Sequence, residues 1–454
     1  MFDNIIGQKS VLQLTDDIQS GRCAPSMLFY GPGETGKGSA ALELARVLSC
    51  EGNAAWKCPC YSCDRYRYLL HDDLLILGKR SFSTEIAASG AAFLRNITAL
   101  NAKILFFRSL RKLQIRYSPV LLEDDSKLTK NKTALQSLDE KLNELWTLNA
   151  ETSDKKIFEK LCASLIEDAL VLENENFNSV IPIGHIRSAS SWCRLAPNGK
   201  RKTLIIENAD KMKEEAHNSL LKLLEEPPPA VNIVLTTQRR EAIITTILSR
   251  LRQYRFFKRD ISDEKEVIRL VFRDTISEKL ADTKGSLVSM YLETFALQSS
   301  SKLYPLAAWF IISLARLTAV SFKKNPGMKT PEYFNKLGDY YKQTAESVLT
   351  ERALKSDIVI RKVLEQSENF IGGSFSKFLK ICLEMLSDVS RTLDNPEYII
   401  YNDIFKKYIK EAVTAVEILN IKETPALEAL VFNLKSAILA ASQRVEVTCA
   451  SRGQ

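Results

Sequence analysis

Glycine and proline are scarce in this chain, 17 and 14 of 454 residues. That excludes a collagen-like or low-complexity polypeptide. With 45% hydrophobic and 26% charged residues the composition is that of an ordinary folded protein, long enough for about two to four domains. Long apolar runs are also missing: none approaches the ~18 residues that a membrane span needs. The longest, Leu306 to Ala315, is broken by Ser313 and followed by Arg316, and reads as a core helix. The opening residues, MFDNIIGQ, carry neither a basic patch nor a signal-type apolar stretch, so a cytoplasmic protein with no membrane partner is expected. In that compartment nine cysteines do not form a disulfide framework, and clustering among them has to be explained by metal or by burial. A strong excess of one charge is lacking as well. The net +8 permits contact with nucleic acid, but so modest an excess is what a solvated surface carries.

What is present centres on Thr203 to Arg250. Leu204, Ile205 and Ile206 form an apolar run ending at Glu207 and Asn208; a helical segment follows and stops at Pro227, Pro228 and Pro229. A second apolar run, Asn232 to Leu235, ends at Thr236 and Thr237, with Ser249 and Arg250 beyond. Apolar strands alternating with a helix predict a parallel sheet buried on both faces, the core of an α/β fold. Ligands of such sheets sit beyond the carboxyl ends of the strands. In a phosphate-binding ATPase the first strand end carries an Asp that helps hold magnesium, followed by a Glu that readies the water. Here the two positions are Glu207 and Asn208, and an amide has no carboxylate with which to take a proton.

Met27 to Tyr30 is a further apolar strand, and it runs into GPGETGKGS, which contains Gly31, Gly33, Thr35, Gly36, Lys37, Gly38 and Ser39. Ala41, Leu44, Ala45 and Leu48 then recur at helical spacing. A G-x-x-x-x-G-K run between strand and helix is a phosphate loop. Its glycines let successive N–H groups turn inward, the helix terminus adds favourable charge, and the lysine reaches the terminal phosphates. The next residue should be Ser or Thr, the magnesium ligand, and it is Gly38. Ser39 points about 100° away. The loop is expected to hold ATP or ADP at most, with hydrolysis weak or absent. Cys50, Cys58, Cys60 and Cys63 follow within fourteen positions. Four thiolates suit a tetrahedral structural zinc, although the central C-x-C step is tight for two ligands to one metal. The alternative is four reduced, partly buried thiols. The remaining cysteines, Cys23, Cys162, Cys193, Cys382 and Cys449, are scattered and read as core or surface thiols.

The run LLKLLEEPP followed by TILSR resembles the AAA+ core of bacterial DNA polymerase III clamp-loader subunits, of delta-prime type rather than the gamma/tau motor. The resemblance covers residues 1–78 and about 180–258 well, weakens beyond, and is silent on 79–178. It implies an AAA+ core over 1–258 with a four-cysteine zinc module at 50–63, a small helical lid over 259–300, and a helical collar over 301–454. It also implies that FDNIIGQ lies by the adenine pocket, that Thr236 or Thr237 is the sensor hydroxyl, and that Arg250 of Ser-Arg acts in trans on a neighbouring subunit's ATP. Leu251 stands where the family has Cys. No G-x-R sensor arginine is evident in the lid. The implied partners are gamma/tau-type and delta-type subunits in a hetero-pentamer, the sliding clamp and primed DNA. The chain itself is then expected to lack polymerase and useful ATPase activity. Two rivals remain: a gamma/tau-type ATPase with an unusual site, and a zinc-bearing scaffold.

Residues 79 to about 178 read as an inserted antiparallel helical pair with a polar turn at Ser126 to Thr133. One helix carries Lys103, Arg108, Arg111 and Lys112, expected to form either a solvated face or a contact with DNA or a partner. His71 reads as structural. Near the end, Thr424 and Pro425 read as the start of a helix whose stripe is Leu427, Leu430, Val431, Leu434 and Ile438, part of it available for a subunit interface.

Overall fold

The computed structural model describes residues 1–122, 126–175, 180–275, 286–295, 300–323, 330–345, 355–368, 374–390, 395–417, 419 and 421–451. The chain divides into two compact units, Met1–Leu297 and Gln298–Gln454. The first is built on five parallel strands, β1 (Ser26–Tyr30), β2 (Leu74–Gly78), β3 (Lys202–Glu207), β4 (Val231–Thr237) and β5 (Arg252–Arg255), in the order β2-β3-β4-β1-β5. β3 and β4 are buried along their whole length, as strands covered by helices on both faces must be. β5 is not predicted from the sequence: Arg-Gln-Tyr-Arg buries only Tyr254, which suffices for an edge strand but leaves no apolar run to read.

Helices α1 (Lys9–Gln19), α2 (Lys37–Ser49) and α3 (Tyr61–Arg67) precede β2. The inserted segment forms α4 (Ser83–Arg95), α5 (Leu100–Ile115), α6 (Pro119–Leu122), α7 (Ser126–Thr147) and α8 (Lys155–Glu175). α9 (Ile183–Arg194) leads back to β3, α10 (Glu214–Glu225) joins β3 to β4, and α11 (Thr245–Leu248) precedes β5. The insertion is therefore more than a helical pair, and the turn predicted at Ser126 to Thr133 is the start of a 22-residue helix. SKLTKNKT is polar but holds no Gly or Pro, so nothing in it breaks a helix. Nor is the segment an appended arm. Phe93, Phe106, Phe158, Leu138, Leu142 and Leu145 are buried in one cluster with Leu77 of β2, Leu204 of β3 and Leu220 of α10. Phe93 stacks on Phe106 at 6.3 Å and meets Phe158 edge-on at 5.9 Å.

α12 (Ile261–Val267) continues into one wide turn, Ile268–Phe272, and a further helix spans Leu287–Thr294. These lid elements pack on the insertion: Val267, Ile268, Phe272 and Val288 cluster with Ala88 and Ala92 of α4. Residues 276–285 and 296–299 of the expected lid lie outside the described residues.

The second unit is helical: Ser300–Lys323, Tyr333–Ala345, Ser356–Glu368, Ser374–Ser390, Pro396–Glu417 and Glu423–Ser451. Its core gathers Trp309, Phe310, Tyr333, Phe378, Tyr401 and Phe405. The last helix starts at Glu423, so Thr424 is not its cap and Pro425 sits in the first turn, where its missing N–H costs nothing. Leu427, Leu430, Val431, Leu434 and Ile438 are all buried within this unit's own core, which removes that stripe from any subunit interface. Two stretches, Leu303–Phe322 and Glu423–Ser442, are long and apolar enough to cross a membrane by length and composition. Counting unbroken apolar residues misses the first because it stops at Ser313, which is itself buried. Most of Leu303–Phe322 is interior to the unit.

Candidate functional site

A cavity of about 820 Å³ lies at the carboxyl ends of β1, β3 and β4, bounded by the phosphate loop, the insertion and the lid. Gly33, Thr35, Gly36, Lys37, Gly38, Ser39, Glu207, Asn208 and Thr236 all line it, so the structure brings together the predicted nucleotide site apart from Gly31. Gly31 serves the loop's backbone instead: its φ is +142° and a Cβ there would stand 2.0 Å from the Phe256 carbonyl. Gly36, at φ +88°, turns the chain into α2, whose first turn has no side-chain cap. Lys37 is 8% exposed and folds over its own loop, donating to Gly31 O at 2.8 Å, to Thr35 Oγ1 at 3.2 Å and to Pro32 O. Burial lowers its amine to about 8, with Glu34 opposing the shift. Ile5, Ile6, Val271 and Leu292 add apolar lining; Ile5 lies beside Gly36, and both isoleucines belong to the segment that the family resemblance puts by the adenine pocket.

At the end of β3, the Glu207 carboxylate has both oxygens engaged by cations. Oε1 faces Arg80 Nη1 at 3.5 Å and Oε2 accepts from Arg116 Nη2. Arg116 also donates to the Gly78 carbonyl. Both guanidinium groups lie near the Phe82 ring, Arg80 at 5.4 Å and Arg116 at 5.3 Å from its centre. Arg80 Nη2 in turn donates to Glu85 Oε2 at 2.7 Å, and Lys112 donates to Glu85 Oε1. Burial pushes the Glu85 carboxyl up, but Lys112 and Arg80 outweigh it and hold it at about 2. The Arg80 guanidinium is lowered by burial and raised more by Glu85 and Glu207, so it stays charged. Asn208 has φ +51°, donates its side-chain amide to Lys79 O at 2.6 Å, and offers its backbone N–H to Thr236 Oγ1 at 3.4 Å. Thr237 is turned away and donates to Asp210 Oδ1 at 2.7 Å, so of the two candidate sensor hydroxyls Thr236 is the one at the cavity.

The magnesium ion that a phosphate loop of this kind implies does not fit these donors. Gly38 offers no hydroxyl; a Cβ on it would stand 3.0 Å from Glu207 Oε1 and 3.8 Å from Arg80 Nη1. The acid that should ligate the ion is committed to two arginines.

The decisive cations are not among the sequence-predicted site residues, although Lys112 belongs to the predicted cationic helix face. Arg80, Lys112 and Arg116 belong to the insertion, and Arg259 follows β5. Arg259 is 8% exposed and donates to Ile6 O at 2.8 Å and to Glu34 O. One signal was available: Arg108, Lys112 and Arg116 repeat every four residues and so share one helix face. That face is neither solvated nor free for DNA. Lys112 meets Glu85, Arg116 meets Glu207, and Arg108 donates to the Tyr66 and Arg67 carbonyls at 3.0 and 2.7 Å, tying α5 to α3. On the remaining faces Arg111 pairs with Asp139 and Lys103 donates to Trp146 O.

Cys50, Cys58, Cys60 and Cys63 bring their four sulfurs within 4.8 Å of one another. Cys50 Sγ lies 3.5 Å from Cys58 Sγ and 3.8 Å from Cys60 Sγ, against the ~3.8 Å edge of a tetrahedron with metal–sulfur bonds of about 2.3 Å. The tight C-x-C step is accommodated because Cys60 caps α3, its Sγ accepting from the Cys63 N–H at 3.4 Å. Gly52 and Ala54 donate backbone N–H groups to Cys50 Sγ at 3.3 and 3.2 Å, and Arg46 Nη1 lies 2.9 Å from Cys63 Sγ. Donors aimed at sulfur stabilise thiolates, so the cluster fits a metal ion. Burial raises the Cys60 thiol, but backbone donors from Cys63 and Glu51 bring it down to about 6. Cys162, Cys193 and Cys382 are buried singly, Cys23 is half-buried, and the Cys449 side chain lies outside the described residues. His71 stacks on Tyr66 at 4.3 Å and accepts the Asp73 N–H through Nδ1 at 3.1 Å, as a structural histidine does.

Arg250 is exposed, does not line the cavity, and is paired with Glu225 Oε1 at 2.6 Å; its Nη1 donates to Thr246 O at 2.6 Å.

A parallel five-stranded sheet carries the phosphate loop and is flanked by helices, and a helical unit follows, an arrangement consistent with the AAA+ clamp-loader fold that the sequence resembles. The sequence model of the family described as DNA polymerase III, delta subunit, matches residues 7–260, more than half of the chain, and the chain belongs to that clamp-loader-type family. Among solved structures, it is similar to a DNA polymerase III, gamma subunit-related protein from Thermotoga maritima MSB8, with 19% identity, 57% of this chain and 80% of that chain covered, and a TM-score of 0.27; so low a score carries no weight here. No curated protein matches.

Proposed function

We propose that this chain is a delta-prime-like subunit of the DNA polymerase III clamp loader. It joins gamma/tau-type and delta-type subunits in a hetero-pentamer in the cytoplasm, hydrolyses ATP poorly itself, and helps load the sliding clamp onto primed DNA. Arg250 serves a neighbour's ATP in trans. A zinc ion held by Cys50, Cys58, Cys60 and Cys63 stiffens the segment between α2 and α3, which shares Trp56 and Lys57 with the wall of the cavity. The observation that carries the proposal is the contrast between two arginine-bearing places. Glu207, where the chain's own metal should bind, is locked by Arg80 and Arg116, while Arg250 stays exposed on a solvent-facing ion pair. Exposed pairs of that kind are worth ~0–1 kcal/mol, so the guanidinium exchanges Glu225 for a phosphate at little cost. A planar, permanently charged group suits that task.

The second reading is a gamma/tau-type ATPase, favoured by the intact Lys37 and the wide cavity beside it. The experiment that separates them is a reconstituted loader carrying Arg250→Ala. The proposal expects turnover at the one ATP site that Arg250 faces to fall by ~10³ or more, the scale of such fingers in related phosphoryl transfer, which lowers the loader's DNA-stimulated ATPase by that site's share. Unchanged ATPase overturns it. Turnover by the isolated chain, abolished in Lys37→Ala, establishes the ATPase reading.

A further inference from the structure

We infer that the cavity is a metal-independent site for a nucleoside polyphosphate, in which Arg80 of the insertion takes the place of the divalent ion. The inference rests on the phosphate-loop character of Gly31 to Ser39 and does not depend on Arg250.

In a metal-using loop a hydroxyl follows the lysine and an acid at the next strand end completes the ion's shell. Here the same two positions have been filled jointly. A Cβ on Gly38 would stand 3.0 Å from Glu207 Oε1 and 3.8 Å from Arg80 Nη1, so the acid and the guanidinium crowd the space that a side chain would take. Arg80 is not a roaming surface group. It is held at 2.7 Å by Glu85, whose other oxygen is held by Lys112, and it rests against the Phe82 ring. Glu207 keeps no oxygen free for a cation, since Arg116 claims one and Arg80 the other. A divalent ion entering here would have to displace a guanidinium from a buried carboxylate and then sit beside it. An anion meets the opposite situation: Lys37, Arg80, Lys112 and Arg259 all line the cavity. Across the whole cavity wall eight Lys and Arg face four Asp and Glu. Low-dielectric surroundings strengthen that field.

The apolar lining decides the ligand class. Ile5, Ile6, Val271 and Leu292 share the cavity wall with the cations; Ile5 lies beside Gly36, and Ile6 O accepts from Arg259. A cavity of about 820 Å³ lined by both charged and apolar side chains fits a base joined to a polyphosphate better than a bare polyphosphate. The insertion therefore completes a binding site rather than merely decorating the core. The ligand it selects is the fully charged nucleotide and not its magnesium complex, because the complex arrives with its charge already halved.

The test is titration of the full chain with ATP by calorimetry, once in EDTA and once in millimolar magnesium, with pyrophosphate as a second probe. The expected result is ATP affinity that is undiminished in EDTA and several-fold weaker with magnesium. Pyrophosphate should bind at least tenfold more weakly than ATP, and Arg80→Ala should lose at least tenfold in EDTA. Because Arg80→Ala also removes an ion pair, its fold is checked by circular dichroism; the comparison of EDTA with magnesium on the unaltered chain stands without it. ATP affinity that rises tenfold with magnesium overturns the inference while leaving the phosphate loop intact. No binding under either condition overturns both.

Discussion

Replacing Glu85 with Gln should destabilise the first unit more than almost any other single change at the cavity. The Glu85 carboxylate bridges Arg80 and Lys112 and is 12% exposed. An amide keeps the shape but not the charge, leaving two cations facing each other over a largely buried gap. Breaking a buried pair in this way costs ~3–5 kcal/mol. The acid limb gives an independent figure. The carboxyl titrates at about 2 against an ordinary 4.5, which corresponds to ~3 kcal/mol of stability. The folded value lies below the unfolded one, so that stability is fully present above pH 4.5 and is lost as pH falls towards 2. Since the chain has two units, a single melting temperature would mix them. The assay is therefore urea unfolding read by hydrogen exchange in residues 100–122, at pH 7 and at pH 3. At a slope of ~2 kcal/mol per molar urea, Glu85→Gln should move the pH 7 midpoint down by ~1.5–2.5 M, and the gap from the unaltered chain should narrow at pH 3. A midpoint shift under ~0.5 M, or an acid limb unchanged by the substitution, would refute the reasoning.

Two further outcomes follow from the same geometry. The purified chain should carry one zinc per molecule by elemental analysis; Cys60→Ser should remove it and Cys23→Ser should not, and a metal-free unaltered chain would refute the assignment of the four thiols. Lys37 should make nucleotide affinity pH-dependent. With its amine at about 8, ATP affinity in EDTA should fall about tenfold per pH unit above 8, and Lys37→Arg should flatten that profile; a flat profile in the unaltered chain would exclude Lys37 from the site. Without ligand the sign for stability is opposite: the cost of the buried ammonium is full below pH 8 and is relieved as pH rises towards 10.5.

Much of the core could be read in the sequence because it follows from local rules. Leu204 to Ile206 and Asn232 to Leu235 are strands because they are apolar and short, and GPGETGKGS is a phosphate loop because glycines and a lysine fall at fixed offsets. The Cys50–Cys63 cluster was legible as composition, although the C-x-C step concealed how a capping cysteine relieves it. What was not legible depends on pairs far apart in the chain. Arg116 meets Glu207 across 91 positions and Arg259 meets Glu34 across 225. A helix bearing four cations looks solvated until Lys112 is seen to meet the largely buried Glu85, and Arg116, just past the helix end, to meet Glu207. β5 failed for the reverse reason: it borrows its place from β1 and brings only one buried side chain of its own.

The glycine at 38 bears on how such a chain can change. Introducing serine there restores the missing hydroxyl but brings its Cβ to 3.0 Å from the Glu207 oxygen, while that carboxylate stays gripped by two arginines. A magnesium site at this place would need three separate changes, a hydroxyl at 38 and the removal of both Arg80 and Arg116 from the Glu207 carboxylate, so no single substitution builds it.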